Sequence, residues 1–286
     1  MKRARIIIDG RPVAGVVENE WIVAENGSRI RTDEASYLAP FVPRQIFATH
    51  LSYRSRCQEY KMKAPPRYPS FFMKPLGSVS HHKAMVARPR GCRFLNYEGE
   101  IAAIIGKKCS NVSADRALEF VSGYAVANDW GVHDFRHADR GSMLRVKGQD
   151  GFCPLGPFFV DAADVNPDDL WLRTYVNGQL AQEAHTGTDM IFSVAYQIAD
   201  LSRLITLEEN DVLLSGTPAH SRPVEPGDAV AVEISGLGRL ENTVIELDRE
   251  LVNAGEQPQV TDQTLHVALA MPEEEAKEKA LDYQRS

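Results

Sequence analysis

The chain has 286 residues, of which 43% are hydrophobic and 25% charged, and its formal net charge is −7. This length and composition allow a full hydrophobic core, and the acidic balance argues against nucleic acid as a partner, because phosphate backbones attract Lys and Arg. No apolar run approaches the roughly 20 residues of a membrane helix, and the N-terminal residues turn polar too soon for a signal sequence, so we expect no membrane partner and a cytoplasmic protein.

Three regions follow one another along the chain. Asp9-Gly10 and Asn26-Gly27 lie between short apolar stretches, a pattern typical of hairpins, and predict a small β-rich region over residues 1–44. Residues 45–248 contain no linker or repeat and are expected to form one domain. Residues 249–286 are a polar extension in which Pro272 can open a terminal helix, interpreted as a surface or packing helix rather than a functional element.

Two helices are predicted within the central region. The first runs from Ser113 to Gly123, and the second carries an apolar stripe from Val194 to Ile205. The remaining apolar segments alternate like strands, and strands outnumber helices. The predicted fold class is therefore α+β and predominantly β.

The segment NYEGEIAAIIG contains Glu98 and Glu100, two positions apart on a predicted strand. Alternate residues of a strand point to the same face, so the two carboxylates are expected to lie close together. Their repulsion is relieved by water, by a proton or by a divalent cation. The spacing alone leaves both a solvated strand face and a metal site open, although the apolar residues that follow favour burial.

Asp129, at the end of the next apolar strand, is a candidate third acid for magnesium or manganese. Spacing does not place it beside the glutamates.

A series of motifs from about residue 45 to 247 closely resembles the fumarylacetoacetate hydrolase superfamily, and in particular its homoprotocatechuate decarboxylase/isomerase branch. In chain order these motifs are FFMKP, NYEGEIAAIIGKK, VSGYAVANDW, RVKGQDGFCPLGP, VNGQLAQ, MIFSVAYQIADLS, NDVLLSGTP and EPGDAVAVEISGLGRLENTV.

The resemblance implies a mixed, rolled sheet of the family's C-terminal-domain type with few helices, and commonly a homodimer. It also implies that Glu98, Glu100 and Asp129 hold Mg²⁺ or Mn²⁺. Family substrates are small anionic 2-oxo acids or β-dicarbonyl compounds, and the metal acts as a Lewis acid that stabilises an enolate.

Four more residues correspond to family positions. Lys147 matches the lysine near the metal, and Lys74 is carried over in the same way, with pairing to a buried acid as its alternative. Thr217 in SGTP matches the threonine at the substrate carboxylate, unless it only shapes a turn. Tyr53 matches the conserved tyrosine of the NYxxHxxE motif.

The chain departs from this same motif, because it keeps Glu59 but has Arg56 where the family has histidine. The family's His and Glu polarise a water molecule or carry a proton, which an arginine cannot do because it stays protonated. Arg56 can instead bind a second carboxylate of the substrate, or it can form a structural salt bridge with Glu59.

A second departure follows Asp129, where the chain carries His133 and Arg136. His133 is a candidate replacement for the missing proton carrier, with a structural hydrogen-bonding role as its alternative. Arg136 adds positive charge to a site meant for anions.

The leading hypothesis from the sequence is a Mg/Mn-dependent decarboxylase or isomerase of an unsaturated 2-oxo di- or tricarboxylic acid from aromatic catabolism, because neither reaction needs an activated water. An acylpyruvate-type C–C hydrolase is the alternative, and a non-catalytic anion-binding relative is a third hypothesis.

Overall fold

The structure is a computed structural model that describes residues 1–285. Within these residues the strands are β1 Lys2–Ile8, β2 Arg11–Glu18, β3 Trp21–Ala24, β4 Arg29–Arg31, β5 Tyr37–Leu38, β6 Gln45–His50, β7 Ser70–Lys74, β8 Val79–His81, β9 Met85–Arg88, β10 Leu95–Asn96, β11 Gly99–Ile105, β12 Val121–Asn128, β13 Gly131–Val132, β14 Cys153–Leu155, β15 Phe159–Asp161, β16 Trp171–Val176, β17 Gln179–His185, β18 Asp211–Leu214, β19 Ala229–Ile234 and β20 Gly238–Glu246. The helices are α1 Arg54–Glu59, α2 Ala114–Ala117, α3 Arg136–Asp139, α4 Leu144–Lys147, α5 Thr186–Asp189, α6 Val194–Ser202, α7 Asp262–Leu269 and α8 Glu273–Arg285.

A large mixed sheet forms the centre of the described chain. Its strands follow the order β4-β3-β2-β1-β15-β12-β11-β18-β6-β7, and the pairing of β18 with β6 is parallel. The N-terminal strands belong to this sheet, because β1 pairs with β15. A second sheet has the order β17-β16-β19-β20-β9. The predicted fold class, α+β and predominantly β, is confirmed.

Strand β11 is buried along its whole length and separates two parts of the core. Ala102 and Ile104 belong to one hydrophobic cluster, whereas Ile101 and Ala103 belong to the other. The second cluster also contains residues of β16, β19 and β20, so the smaller sheet packs on that side. The pleat therefore directs Glu98 and Glu100 to the same side of the strand as Ala102 and Ile104.

Of the two helices predicted in the central region, one agrees with the structure and the other is wrong in part. Helix α6 agrees with the prediction: Ser193 caps it by accepting the Tyr196 N–H at 3.2 Å, and Val194 and Ile198 are buried. The prediction of one helix from Ser113 to Gly123 is wrong at its C-terminal end. Helix α2 passes into a 3-10 turn at Leu118–Phe120, and β12 begins at Val121.

Two helices, α7 and α8, occupy the C-terminal extension. Helix α7 begins with a reciprocal capping box between Thr261 and Thr264, and α8 agrees with the terminal helix predicted after Pro272. The apolar sides of both helices pack around Phe94 in a separate small cluster. None of the described helices is both long and apolar enough to cross a membrane.

Candidate active site

Three carboxylates meet where β11 begins and β12 ends. Glu98, Glu100 and Asp129 each offer an oxygen within 4.8 Å of the others. The antiparallel register pairs Gly99 with Asn128, so Asp129 is brought next to Glu98, whose carbonyl accepts the Asp129 N–H at 2.8 Å. The strand pairing therefore supplies the proximity that the sequence spacing did not establish.

Two lysines neutralise part of this negative charge. Lys147, at the end of α4, donates to Glu98 Oε2 at 2.6 Å and to the Asp129 carbonyl at 2.7 Å. Lys74, at the end of β7, donates to Asp129 Oδ1 and to the Lys147 carbonyl. Both ammonium groups are buried, so the interpretation of Lys74 as a partner of a buried acid agrees with the structure.

The pKa values of two of these acids shift in opposite directions despite the two lysines. Burial raises the pKa of Glu100 well above its usual range, and the charges of Asp129 and Glu98 add to the effect. Burial also tends to raise the pKa of Asp129. The charges of Lys147 and Lys74 outweigh the effect of burial, so the pKa of Asp129 is lowered. Three carboxylates facing two ammonium groups thus fit a divalent cation, which prefers oxygen ligands.

A cavity of about 610 Å³ opens beside the carboxylates. Its wall contains seven of the residues selected from the sequence: Arg56, Glu98, Glu100, His133, Arg136, Lys147 and Thr217. Among the described residues, Tyr53, Glu59, Lys74 and Asp129 do not belong to this wall. The cavity is therefore the place where a ligand can reach the carboxylate cluster.

Arg56 forms a salt bridge with Glu59, which was one of the two roles expected for this arginine from the sequence. Its guanidinium donates to Glu59 Oε2 at 2.8 Å and lies 3.8 Å from Glu98 Oε1. Glu59 also binds Arg222 and accepts the His220 N–H at 3.0 Å. Burial alone would raise the pKa of Glu59, but Arg56 and Arg222 hold it below its ordinary value. Glu59 is thus an anion with its oxygens already engaged.

Arg136 and His133 face the cavity without comparable partners. Arg136 forms no ion pair with any carboxylate in residues 1–285, and its nearest polar contact is Met143 Sδ at 3.8 Å. Neither ring nitrogen of His133 has a hydrogen-bond partner, although the residue is 1% exposed. Burial and the charge of Arg136 lower the pKa of His133 well below its usual range, so the ring is neutral.

The SGTP turn connects Glu100 with Thr217. The Gly216 N–H donates to Glu100 Oε2 at 2.7 Å, and Thr217 Oγ1 accepts from Gln182 Nε2 at 3.1 Å. Tyr53 is fully buried and its hydroxyl has no partner in the described part of the chain. Thr217 can contact a ligand directly, whereas Tyr53 lies outside the wall.

The wall also contains residues that were not selected from the sequence, among them His50, His266, Val267 and Glu273. His50 ends β6, and burial together with Arg136 lowers its pKa to about 4. A histidine that ends the apolar stretch QIFATH was a signal for it. The other three belong to the C-terminal extension, where no local pattern indicated a cavity.

Residues 45–245 match the family model described as the C-terminal domain of fumarylacetoacetate hydrolase. The chain belongs to this family. Family members include both isomerase/decarboxylases and hydrolases, so membership establishes an enzyme family and the reaction type is decided by the site.

Among similar sequences is the 4-hydroxyphenylacetate degradation bifunctional isomerase/decarboxylase of Salmonella dublin, 36% identical over 244 residues. The match covers 85% of this chain but only 55% of that protein, so the chain spans about half the length of this curated relative.

Two solved structures of the fumarylacetoacetate hydrolase family are similar throughout their length. The 5-carboxymethyl-2-hydroxymuconate delta-isomerase from Mycobacterium smegmatis is 31% identical with a TM-score of 0.78, and covers 87% of this chain and 100% of its own. The fumarylacetoacetate hydrolase from Exiguobacterium antarcticum is 30% identical with a TM-score of 0.78, and covers 86% and 100%.

Proposed function

We propose that this family member is a Mg²⁺- or Mn²⁺-dependent isomerase or decarboxylase of an unsaturated 2-oxo di- or tricarboxylic acid from aromatic catabolism. The observation that carries the proposal is one cavity wall that contains Glu98 and Glu100 of the carboxylate cluster and also Arg136, a guanidinium with no carboxylate partner among the described residues. The activities of the Salmonella and Mycobacterium relatives support the same reaction class.

Each part of the site has a role in this proposal. Glu98, Glu100 and Asp129 would hold the cation, which supplies a Lewis acid at the 2-oxo group. Lys147 lies against two of these acids and offsets the charge that develops on the substrate oxygen. Arg136 binds the second carboxylate of the substrate. His133, neutral and without a partner, accepts or returns the proton at the carbon next to the 2-oxo group.

The ionised state of Glu59 favours isomerisation or decarboxylation over hydrolysis. A hydrolase needs a base that activates water, and Glu59 is held ionised by Arg56 and Arg222 with its pKa lowered. The likeness to the Exiguobacterium hydrolase keeps acylpyruvate hydrolysis as the second candidate.

The homodimer implied by the family resemblance remains a prediction, which sedimentation measurements can test.

The proposal is tested by incubating the Mg²⁺- or Mn²⁺-loaded protein with oxaloacetate, fumarylpyruvate and the homoprotocatechuate ring-cleavage product. We expect isomerised or decarboxylated products and no turnover in Glu98→Gln, which keeps the shape of the side chain but removes a metal-binding charge. Turnover of fumarylpyruvate alone would establish the hydrolase. Ligand-induced stabilisation without product under either metal would establish a non-catalytic relative.

Arg136→Ala separates anion binding from metal binding. We expect it to raise the KM for a dicarboxylic substrate about tenfold or more, since a charge-assisted hydrogen bond is lost, while Mn²⁺ affinity stays unchanged. An unchanged KM would remove Arg136 from the substrate site.

A further inference from the structure

The C-terminal extension supplies part of the cavity wall. His266 and Val267 on α7 and Glu273 at the start of α8 line the same cavity as Glu98 and Arg136. The match to the family model ends at residue 245, so these three residues lie outside it. The wall on this side is therefore built by a segment that the shared family domain does not include.

Hydrogen bonds fasten α7 to the residues around the site. Thr264 Oγ1 donates to the His133 carbonyl at 3.2 Å, and the Gln259 N–H donates to the Asp134 carbonyl at 2.9 Å. Asn96 Nδ2 donates to the Ala268 carbonyl at 2.9 Å. Together with the apolar cluster around Phe94, these bonds fix the extension against the catalytic domain.

Tyr60 joins the extension to Arg56. Its hydroxyl donates to the Val267 carbonyl at 3.1 Å, and its ring centroid lies 5.2 Å from that of His266. The guanidinium of Arg56 lies over the same Tyr60 ring, 4.7 Å from its centroid. A contact between an aromatic ring and a guanidinium restricts both groups, so the position of α7 bears on the position of Arg56.

One hydrogen bond fixes the role of the Nδ1 atom of His266. Its Nδ1 lies 2.7 Å from the Met271 carbonyl, which can only accept, so Nδ1 carries the hydrogen. Its Nε2 makes no hydrogen bond with any residue that the structure describes. His266 is thus a cavity-lining side chain with Nδ1 held by Met271, and when both nitrogens carry a hydrogen its Nε2–H can donate to a ligand carboxylate.

We propose that the C-terminal extension, residues 249–286, selects the substrate of this site, with His266 as the contacting residue and Tyr60 as a positioning residue. The inference rests on the proposed function, in which the 2-oxo acid end of the substrate occupies the carboxylate cluster. The rest of the substrate then meets the remaining wall, where His266 lies beside the cations Arg56 and Arg136. This wall selects for a second carboxylate on a carbon chain long enough to reach it.

The test compares two ligands on the Mn²⁺-loaded full chain by titration calorimetry. Oxalate can occupy only the chelating position, whereas 2-oxoadipate adds a distal carboxylate. His266→Asn keeps a donor for the Met271 carbonyl and removes Nε2, and Tyr60→Phe removes only the bond to Val267. Gln263→Ala, an exposed position on the same helix, is the matched control.

We expect His266→Asn to weaken 2-oxoadipate binding about tenfold and Tyr60→Phe to weaken it severalfold, with oxalate affinity within about twofold of wild type in both. Equal 2-oxoadipate affinity in the wild type and both variants overturns the inference, and so does an equal loss for both ligands, which would indicate a structural role. Failure of the wild type to bind oxalate overturns the proposed function itself.

Discussion

At the residue scale, the unusual feature is that some polar and charged side chains around the cavity have ion-pair or hydrogen-bond partners and others do not. Arg56 and Glu59 neutralise each other, so the position where the family has histidine is not an isolated positive charge here. Among the described residues Arg136 has no carboxylate partner, and neither ring nitrogen of His133 has a hydrogen-bond partner. Unsatisfied buried polar groups cost free energy, and ligand binding is a common reason for keeping them.

His133→Phe tests whether this histidine carries a proton. We expect kcat to fall about 100-fold or more, the usual contribution of a positioned acid or base. Stability should stay the same or rise, because phenylalanine leaves no unpaired ring nitrogen in the core. His137→Phe is the matched control, since His137 lies outside the cavity wall. Unchanged kcat in His133→Phe would leave only the structural alternative.

At the element scale, the SGTP turn connects the fold with the carboxylate cluster. Gly216 has a φ of +88°, and a Cβ at this position would clash with the Ser52 hydroxyl. The same residue donates its N–H to Glu100. A left-handed conformation and a close neighbour both require glycine here.

Gly216→Ala is therefore expected to lower the free energy of unfolding by more than about 2 kcal/mol and to weaken Mn²⁺ binding, since the turn supports Glu100. Gly178→Ala is the control, because Gly178 also has a positive φ of +80° but a Cβ at this position would meet nothing within 4 Å. It should cost about 1 kcal/mol, as backbone strain alone does. Denaturant unfolding measures the free energy of unfolding of both variants. An equal loss in Gly216→Ala and Gly178→Ala would contradict the role of the Ser52 contact.

Prediction from the sequence succeeded where the determining contacts were local. The apolar run after Glu100 identified β11, and the stripe on Val194 and Ile198 identified α6. The helix placed over Ser113 to Gly123 failed because Gly123 pairs with Asp161 in the sheet. Pairing between distant strands overrides local helical spacing.

The residues of the site were likewise predictable where sequence motifs carried them, and were missed where distant contacts placed them. The acids and lysines were found through the motifs of the family resemblance, and the β11–β12 register then explains why Asp129 meets Glu98. His266 was missed because its place in the cavity depends on Phe94 and Tyr60, which are far from it in the chain.

At the scale of the whole molecule, the half-buried His82 couples stability to pH. Burial lowers the pKa of His82 to about 4, and the positive charges of Lys83, His81 and Arg239 contribute. Its Nδ1 accepts the Glu241 N–H at 3.0 Å, a bond that protonation at this atom would break. The unfolded chain therefore takes up a proton near pH 6.5, well before the folded protein does.

Because the folded-state pKa is depressed, the contribution of His82 is fully present above about pH 6.5 and is lost as the pH falls toward 4. We expect His82→Asn, which keeps an acceptor for Glu241, to reduce the loss of unfolding free energy over this range by on the order of 2–3 kcal/mol. Identical slopes for His82→Asn and wild type would contradict the prediction.

The parallel pairing of β6 with β18 has a consequence for how the protein is made. It joins Gln45 to Asp211, so the ribosome must synthesise most of the chain before the central sheet can close. Helix α7, which completes the cavity, emerges later still. Contacts this distant in sequence slow folding. A nascent chain thus carries the acids before it carries the segments that complete the cavity wall.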